Sequence, residues 1–175
     1  MGNHADLAIT LRAGTPPDIE QCVSLWVEAC AARDGRLIGG IADRARPKFD
    51  RSIGWIVALR GEQVEGFVLS TAPGSGMPID PPDAAVVGLL AVNPKRQARG
   101  LGRTLLQAIA RQLAEAGYGQ AVLHALLDNQ PALKLYRNEG WIAVGDEYEH
   151  SLLKRPLQTF SRSLLADGLE GASGG

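Results

Sequence analysis

Aromatic residues are scarce, with only three each of Phe, Tyr and Trp in 175, so the chain lacks the interleaved rings on which single-stranded nucleic acids stack. Cysteine is scarcer still. Cys22 and Cys30 stand eight positions apart in what reads as one helix, which separates them by about 12 Å along the axis and forbids a bridge. They read as small buried hydrophobes. With His4, His124 and His150 scattered, no Cys/His metal spacing exists. No apolar run approaches the roughly 20 residues of a membrane helix, and Met1 to Asp6 lacks the layout of a signal peptide; a cytoplasmic protein is expected. Neither sign of charge dominates. Eighteen Lys and Arg oppose 19 Asp and Glu, for a net charge of -1, which removes any global attraction to nucleic acid or to an anionic membrane. An anion site on this chain has to be local.

What is present is enough for one core: 45% of the residues are apolar. One domain is expected over residues 7–165, between a disordered N-terminus at 1–6 and a disordered Gly-rich tail at 166–175. Leu7 to Arg12 reads as a strand. Thr15-Pro16-Pro17-Asp18 offers a cap, a proline at the first helical position and an acid three residues on. Ile19, Cys22, Val23, Trp26 and Cys30 then repeat at helical spacing until Arg33-Asp34-Gly35. A second helix is predicted over Ile41 to Ser52, and a hairpin from Trp55–Leu59 and Val64–Ser70 through Gly61-Glu62-Gln63. After a Pro/Gly/Ser loop at Ala72 to Asp83 comes the apolar run Ala84 to Val92, a central strand. Leu101, Leu105, Ile109 and Leu113 mark a helix that stops at Gly117. Ala121–Leu127 is a strand and Asn129–Glu139 a short helix; Trp141–Tyr148 and Leu157–Leu164 are closing strands. The predicted order is β-α-α-β-β-β-α-β-α-β-β, without an internal repeat.

The local anion site is visible between the central strand and its helix. Lys95, Arg96, Arg99 and Arg103 crowd one loop, and no acid occurs from Pro94 to Ala114. Gly100 and Gly102 stand where loop becomes helix, and without Cβ atoms they let backbone N–H groups gather around an oxyanion at the positive end of the helix dipole. A phosphate bridge suits this arrangement, with Arg99 and Arg103 at its rim. The loop lacks the Gly-Lys-Ser/Thr ending of a nucleotide-hydrolysing P-loop and the third glycine of a dinucleotide fingerprint. A second landmark follows. Asn129, Ala132 and Tyr136 share one helical stripe at i, i+3 and i+7, a pattern that a packed face with Asn129 as N-cap would also produce.

Gln97-Ala98-Arg99-Gly100-Leu101-Gly102 fits the Q/R-x-x-G-x-G/A pattern of the GNAT superfamily of acyl-CoA-dependent N-acetyltransferases, and Asn129-x-x-Ala132-x-x-x-Tyr136-x-x-x-Gly140-Trp141 resembles that family's second motif. The two occur in family order, and the predicted elements fit the family's fold over Leu7 to Leu164. The resemblance implies an α/β fold with a mixed, mostly antiparallel sheet of about seven strands flanked by helices, splayed between its fourth and fifth strands to hold CoA. It implies acetyl-CoA as cosubstrate, with no metal, and an amine as acceptor: a small amine, a peptide N-terminus or a lysine. Backbone amides from Gln97, Ala98, Arg99, Gly100, Leu101 and Gly102, with Arg103, would hold the pyrophosphate. Main-chain groups of Leu90, Ala91 and Val92 would pair with pantetheine and polarise the thioester carbonyl. Asn129 and Ala132 would help seat the cofactor arm, and Tyr136 would protonate the departing thiolate.

Amine acetylation also needs a neutral amine, and here the pattern departs. Val86-Val87-Gly88-Leu89-Leu90 carries no acid, so the base is unassigned. Glu28, Asp34, Glu65, His124 and Asp128 are its candidates, and His124, lacking a partner motif, reads as an ordinary strand residue. Specificity would reside in the segments Arg33–Ser52 and Ala72–Asp83. Two other readings remain, transfer of a longer acyl group and a non-catalytic CoA-binding sensor or interaction module. No nucleic-acid or membrane partner is expected, and the protein would be a monomer or a homodimer.

Overall fold

A computed structural model describes residues 8–96 and 100–165. Its elements are β1 (Ile9–Ala13), α1 (Ile19–Asp34), α2 (Ile41–Asp50), β2 (Ser52–Arg60), β3 (Gln63–Thr71), β4 (Ala85–Val92), α3 (Leu101–Glu115), β5 (Gln120–Leu126), α4 (Gln130–Asn138), β6 (Ile142–Glu149) and β7 (Pro156–Ser163), with a single 3-10 turn at Pro16–Asp18 before α1. The order of strands and α-helices is the one predicted. The strands run β1-β2-β3-β4-β5-β7-β6 across a seven-stranded sheet, in which β4 and β5 are parallel while β1–β2, β5–β7 and β6–β7 are antiparallel. The predicted tail at 166–175, and residues 1–6, lie outside the described residues.

The chain divides into two compact units. One runs to Ser70 and takes up again from Leu89 to Ile109; the other holds Thr71–Gly88 and the chain from Ala110 onward. In the first unit the 3-10 turn is built by a carboxylate. Asp18 Oδ2 accepts the Thr15 backbone N–H at 2.8 Å and the Thr15 hydroxyl at 2.9 Å, while Arg12 donates to both carboxylate oxygens at 2.7 and 2.9 Å. Those Arg12 hydrogen bonds outweigh burial and hold the Asp18 carboxyl down at about 2. Behind this turn α1 buries Cys22, Val23 and Leu25, and α2 buries Ala45 and Phe49, against Trp55, Val57 and Leu59 of β2, Phe67 and Leu69 of β3, and Leu89 and Ala91 of β4. Phe49 sits at the centre, 5.1 Å from the Trp55 ring and 5.8 Å from that of Phe67. Burial pushes the Cys22 thiol up to about 12 and raises that of Cys30. The second helix ends at Asp50, short of the predicted Ser52, because β2 already begins at Ser52; Gly54 interrupts the alternation that would have announced this strand start.

The second unit rests on β7, which pairs with all of β5 from Gln120↔Ser163 to Leu126↔Leu157. Its other edge pairs with β6, whose register breaks between Val144 and Tyr148. The Gln158 amide fills that bulge by donating to the carbonyls of Val144 and Gly145 at 2.8 and 2.9 Å. The parallel ladder is short: among the described residues Ala85 pairs with Ala121 and Val86 with Val122, and nothing beyond. The later residues of β5, Leu123 to Leu126, therefore have backbone groups on their β4 side outside any ladder.

Asp18 carries a pH signature. A carboxyl held below its ordinary value contributes stability that is complete above 3.8 and disappears as pH falls toward 2. Asp18→Asn is expected to cost about 1 kcal/mol at pH 7, read from urea unfolding, with the gap to the parent protein closing near the acid end of that window.

Candidate functional site

In the first unit the chain leaves β4 through a turn that is fastened at both ends. Leu89 and Ala91 enter the core, so alternation sends the half-buried Leu90 and Val92 to the opposite face. Asn93 then accepts the Arg96 backbone N–H on its carbonyl at 3.2 Å and the Lys95 backbone N–H on Oδ1 at 3.0 Å, with Pro94 at the second turn position that proline prefers. The other end of the Asn93 amide donates to Glu65 Oε2 at 3.1 Å, and its backbone N–H to the Glu65 carbonyl at 2.8 Å. Glu65 is 1% exposed. Its second oxygen, Oε1, faces the guanidiniums of Arg60 and Arg96, each 3.6 Å away. A buried carboxylate on β3 thus anchors the turn through one amide and one arginine.

Gln97, Ala98 and Arg99 lie outside the described residues. The chain resumes at Gly100, whose φ of 73° is left-handed and whose missing Cβ would meet no described atom within 4 Å. Its carbonyl accepts both the backbone N–H and the hydroxyl of Thr104, at 2.9 and 3.0 Å, starting α3. Leu101 is buried, Gly102 half-buried and Arg103 exposed. The first N–H groups of a helix have no acceptor within it, and the first turn of α3 contains no acid, so this end suits an anion.

The second unit carries the other landmark. Asn129 takes the N-cap position of α4 by its backbone, yet its side chain makes no capping hydrogen bond, which leaves the amide uncommitted to the helix. Ala132 and Tyr136 are half-buried. Leu133 is the buried residue of α4; standing four positions after Asn129 and three before Tyr136, it places the stripe along the border of the helix's packing face. The Tyr136 ring leans on Phe160 of β7 at 6.2 Å.

A pair that sequence spacing did not announce lies on the other face of β5 and β7. Asp80, in the loop before β4, places both carboxylate oxygens 3.0 and 3.1 Å from His124 Nε2 on β5. Asp80 also accepts the Met77 backbone N–H at 2.8 Å. The rings of His124 and Tyr148 on β6 meet edge to face, with centroids 6.2 Å apart and planes at 74°. Burial raises the Tyr148 phenol. Of the other base candidates, Asp128 is paired with Arg155 at 2.7 Å and Asp34 with Arg33 at 2.8 Å. No group of three or more metal-ligating side chains occurs among the described residues, and none of their helices is long and apolar enough to cross a membrane.

A family model described as the acetyltransferase (GNAT) family matches residues 15–141. Among curated proteins the chain is 31% identical over 147 residues to a mycothiol acetyltransferase of Catenulispora acidiphila, covering 74% of this chain and 46% of that protein. It is 34% identical over 149 residues to a mycothiol acetyltransferase of Clavibacter michiganensis subsp. michiganensis, covering 82% and 46%. The chain therefore spans about half the length of these relatives. Among solved structures it resembles the PaiA N-acetyltransferase of Thermoplasma acidophilum in complex with coenzyme A, with a TM-score of 0.70 and 14% identity over 90% of this chain and 99% of that one. The ribosomal-protein-S18-alanine N-acetyltransferase of Escherichia coli aligns with a TM-score of 0.69 and 18% identity, over 90% and 94%.

Glu65→Ala removes the carboxylate from Arg60, Arg96 and Asn93 together, and is expected to destabilise the protein by about 3 kcal/mol. Glu65→Gln keeps an acceptor for Asn93 and should lose less. Urea midpoints of the two variants measure the difference.

Proposed function

Because the chain belongs to the GNAT family of acetyltransferases, we propose that it transfers the acetyl group of acetyl-CoA to a primary amine by direct attack. The observation that carries this reading is the turn pinned to Glu65 by Asn93 and Arg96, followed by Gly100 at the open, acid-free head of α3. A pyrophosphate needs several N–H donors and net positive charge without a competing carboxylate. The first backbone N–H groups of α3 supply donors, Gln97, Ala98 and Arg99 bring the rest of the motif, and Arg103 and Arg99 add charge. Leu90, Ala91 and Val92 offer main-chain groups for pantetheine, and an N–H there polarises the thioester carbonyl as it becomes an oxyanion.

Asn129 and Ala132 seat the cofactor arm. The uncommitted Asn129 amide supports that role better than capping does. Tyr136 donates the proton that the CoA thiolate needs on departure; its ring, braced against Phe160 yet only half-buried, supports this assignment. The names of the curated relatives put amines related to mycothiol first among acceptors to screen, ahead of simple amines, peptide N-termini and lysine.

Calorimetry with acetyl-CoA, CoA and ATP tests the reading. One CoA site is expected, weakened at least about 100-fold by Gly100→Glu, because a carboxylate there both obstructs and repels a pyrophosphate; no CoA binding to the parent protein overturns the proposal. Binding without turnover on any amine would instead identify a CoA-binding module. Tyr136→Phe is expected to lower kcat by about 10²-fold while leaving CoA affinity unchanged, as steady-state rates and calorimetry together would show.

A further inference from the structure

The acetyl-transfer reading leaves one task without a residue: removing the proton from the amine as it attacks. Resting on that reading, we propose that His124, held by Asp80, is the base that takes this proton, on its Nδ1 atom. The geometry specifies the tautomer. Both Asp80 oxygens lie at Nε2, 3.0 and 3.1 Å away, so Nε2 carries the hydrogen and Nδ1 presents its lone pair. Among the described residues no partner occupies Nδ1. The His124 side chain is 17% exposed while that of Asp80 is 3% exposed; the carboxylate is enclosed and the imidazole retains access. A buried carboxylate behind an imidazole stabilises the imidazolium that forms when the proton arrives.

The loop is shaped to deliver Asp80. A Cβ on Gly76 would overlap Asp80 Oδ2 and stand 3.1 Å from His124 Cε1 and 3.2 Å from Val86 Cγ2, so only glycine lets the loop lie this close. The titratable groups facing His124 are Asp80 from the loop and Tyr148 from β6; β7 pairs Thr159 beside it. His124 also lies on the stretch of β5 beyond the two-residue ladder with β4. Pairing of His124 with Thr159 and of Leu123 with Phe160 puts it on the face of β5 and β7 opposite the one Tyr136 covers. Two proton carriers on opposite faces serve different atoms.

The step balances. The amine nitrogen forms a bond to the thioester carbon, the carbonyl π pair moves to oxygen, and the amine proton passes to His124 Nδ1. Collapse of the oxyanion breaks the carbon–sulfur bond, the thiolate takes a proton from Tyr136, and both side chains then exchange protons with solvent. The products are an amide and free CoA thiol. In the absence of an amine, the same base acting on water would yield acetate and CoA thiol.

Release of CoA thiol from acetyl-CoA, with amine and with water alone, is measured against pH for His124→Gln, His124→Ala, Asp80→Asn and Asp80→Glu, beside calorimetric CoA affinity. The expected result is a loss of about 100-fold in kcat/KM for both His124 variants. The acidic limb of the parent profile disappears in them, added imidazole partly rescues His124→Ala, and CoA affinity is unchanged. Asp80→Asn should lose about 10-fold or more, with Asp80→Glu recovering part of it. A His124→Gln protein that binds CoA and keeps the parent rate and acidic limb overturns the assignment, as does an imidazole nitrogen spectrum in which Nδ1 rather than Nε2 carries the hydrogen. Failure of the parent protein to bind CoA is a different result and strikes the acetyl-transfer reading instead.

Discussion

Glu65 sits at 1% exposure in the apolar stretch of β3, and a carboxylate carried that far from water costs several kcal/mol unless it is answered by charge and hydrogen bonds. The answers come from one residue nearby in sequence and two at the next strand's exit: Arg60 at the end of β2, and Asn93 and Arg96 just past β4. The requirement to satisfy one buried group therefore decides how the backbone leaves the central strand. Once Asn93 is committed to Glu65, its carbonyl side closes the turn. Geometry that a loop would otherwise sample is thereby held, and a site that depends on backbone amides needs that holding more than it needs any particular side chain.

The second unit divides its chemistry by strand alternation. Successive residues of β5 point to opposite faces, so Leu123 and His124, one position apart, belong to different surroundings. One face is apolar and carries the Phe160–Tyr136 stack. The other collects a carboxylate, an imidazole, a phenol and a hydroxyl within a few residues. The bulge in β6 contributes here: by absorbing the residues between Val144 and Tyr148 it returns Tyr148 to pairing with Leu157, on the His124 side of the sheet.

The element order was legible because its signals are local. Thr15 and Asp18, the four-residue repeat from Leu101 to Leu113, and the apolar run into Val92 each report on their own backbone. The glycine loop and the Asn129, Ala132 and Tyr136 stripe were legible for the same reason, since short motifs carry their spacing with them. His124 was not, because its meaning depends on Asp80, 44 residues away in a Pro-rich loop whose path no periodicity describes. Glu65 left a signal that could have been followed: a lone acid set into the apolar run Val64-Glu65-Gly66-Phe67-Val68-Leu69 demands a buried partner. Spacing alone could not say that the partner was the turn after β4.

The two cysteines, finally, bear on how the protein can be handled. Both are buried, and burial drives their thiols toward the protonated form, Cys22 as far as about 12. Thiolate is the species that reacts with maleimides, haloacetamides and disulfides, so neither side chain competes for such reagents while the chain is folded. A cysteine substituted at an exposed position of α3 or of the loop before β4 could accordingly be labelled with a fluorophore or spin probe without first removing the native pair, and loss of that selectivity would report unfolding of α1.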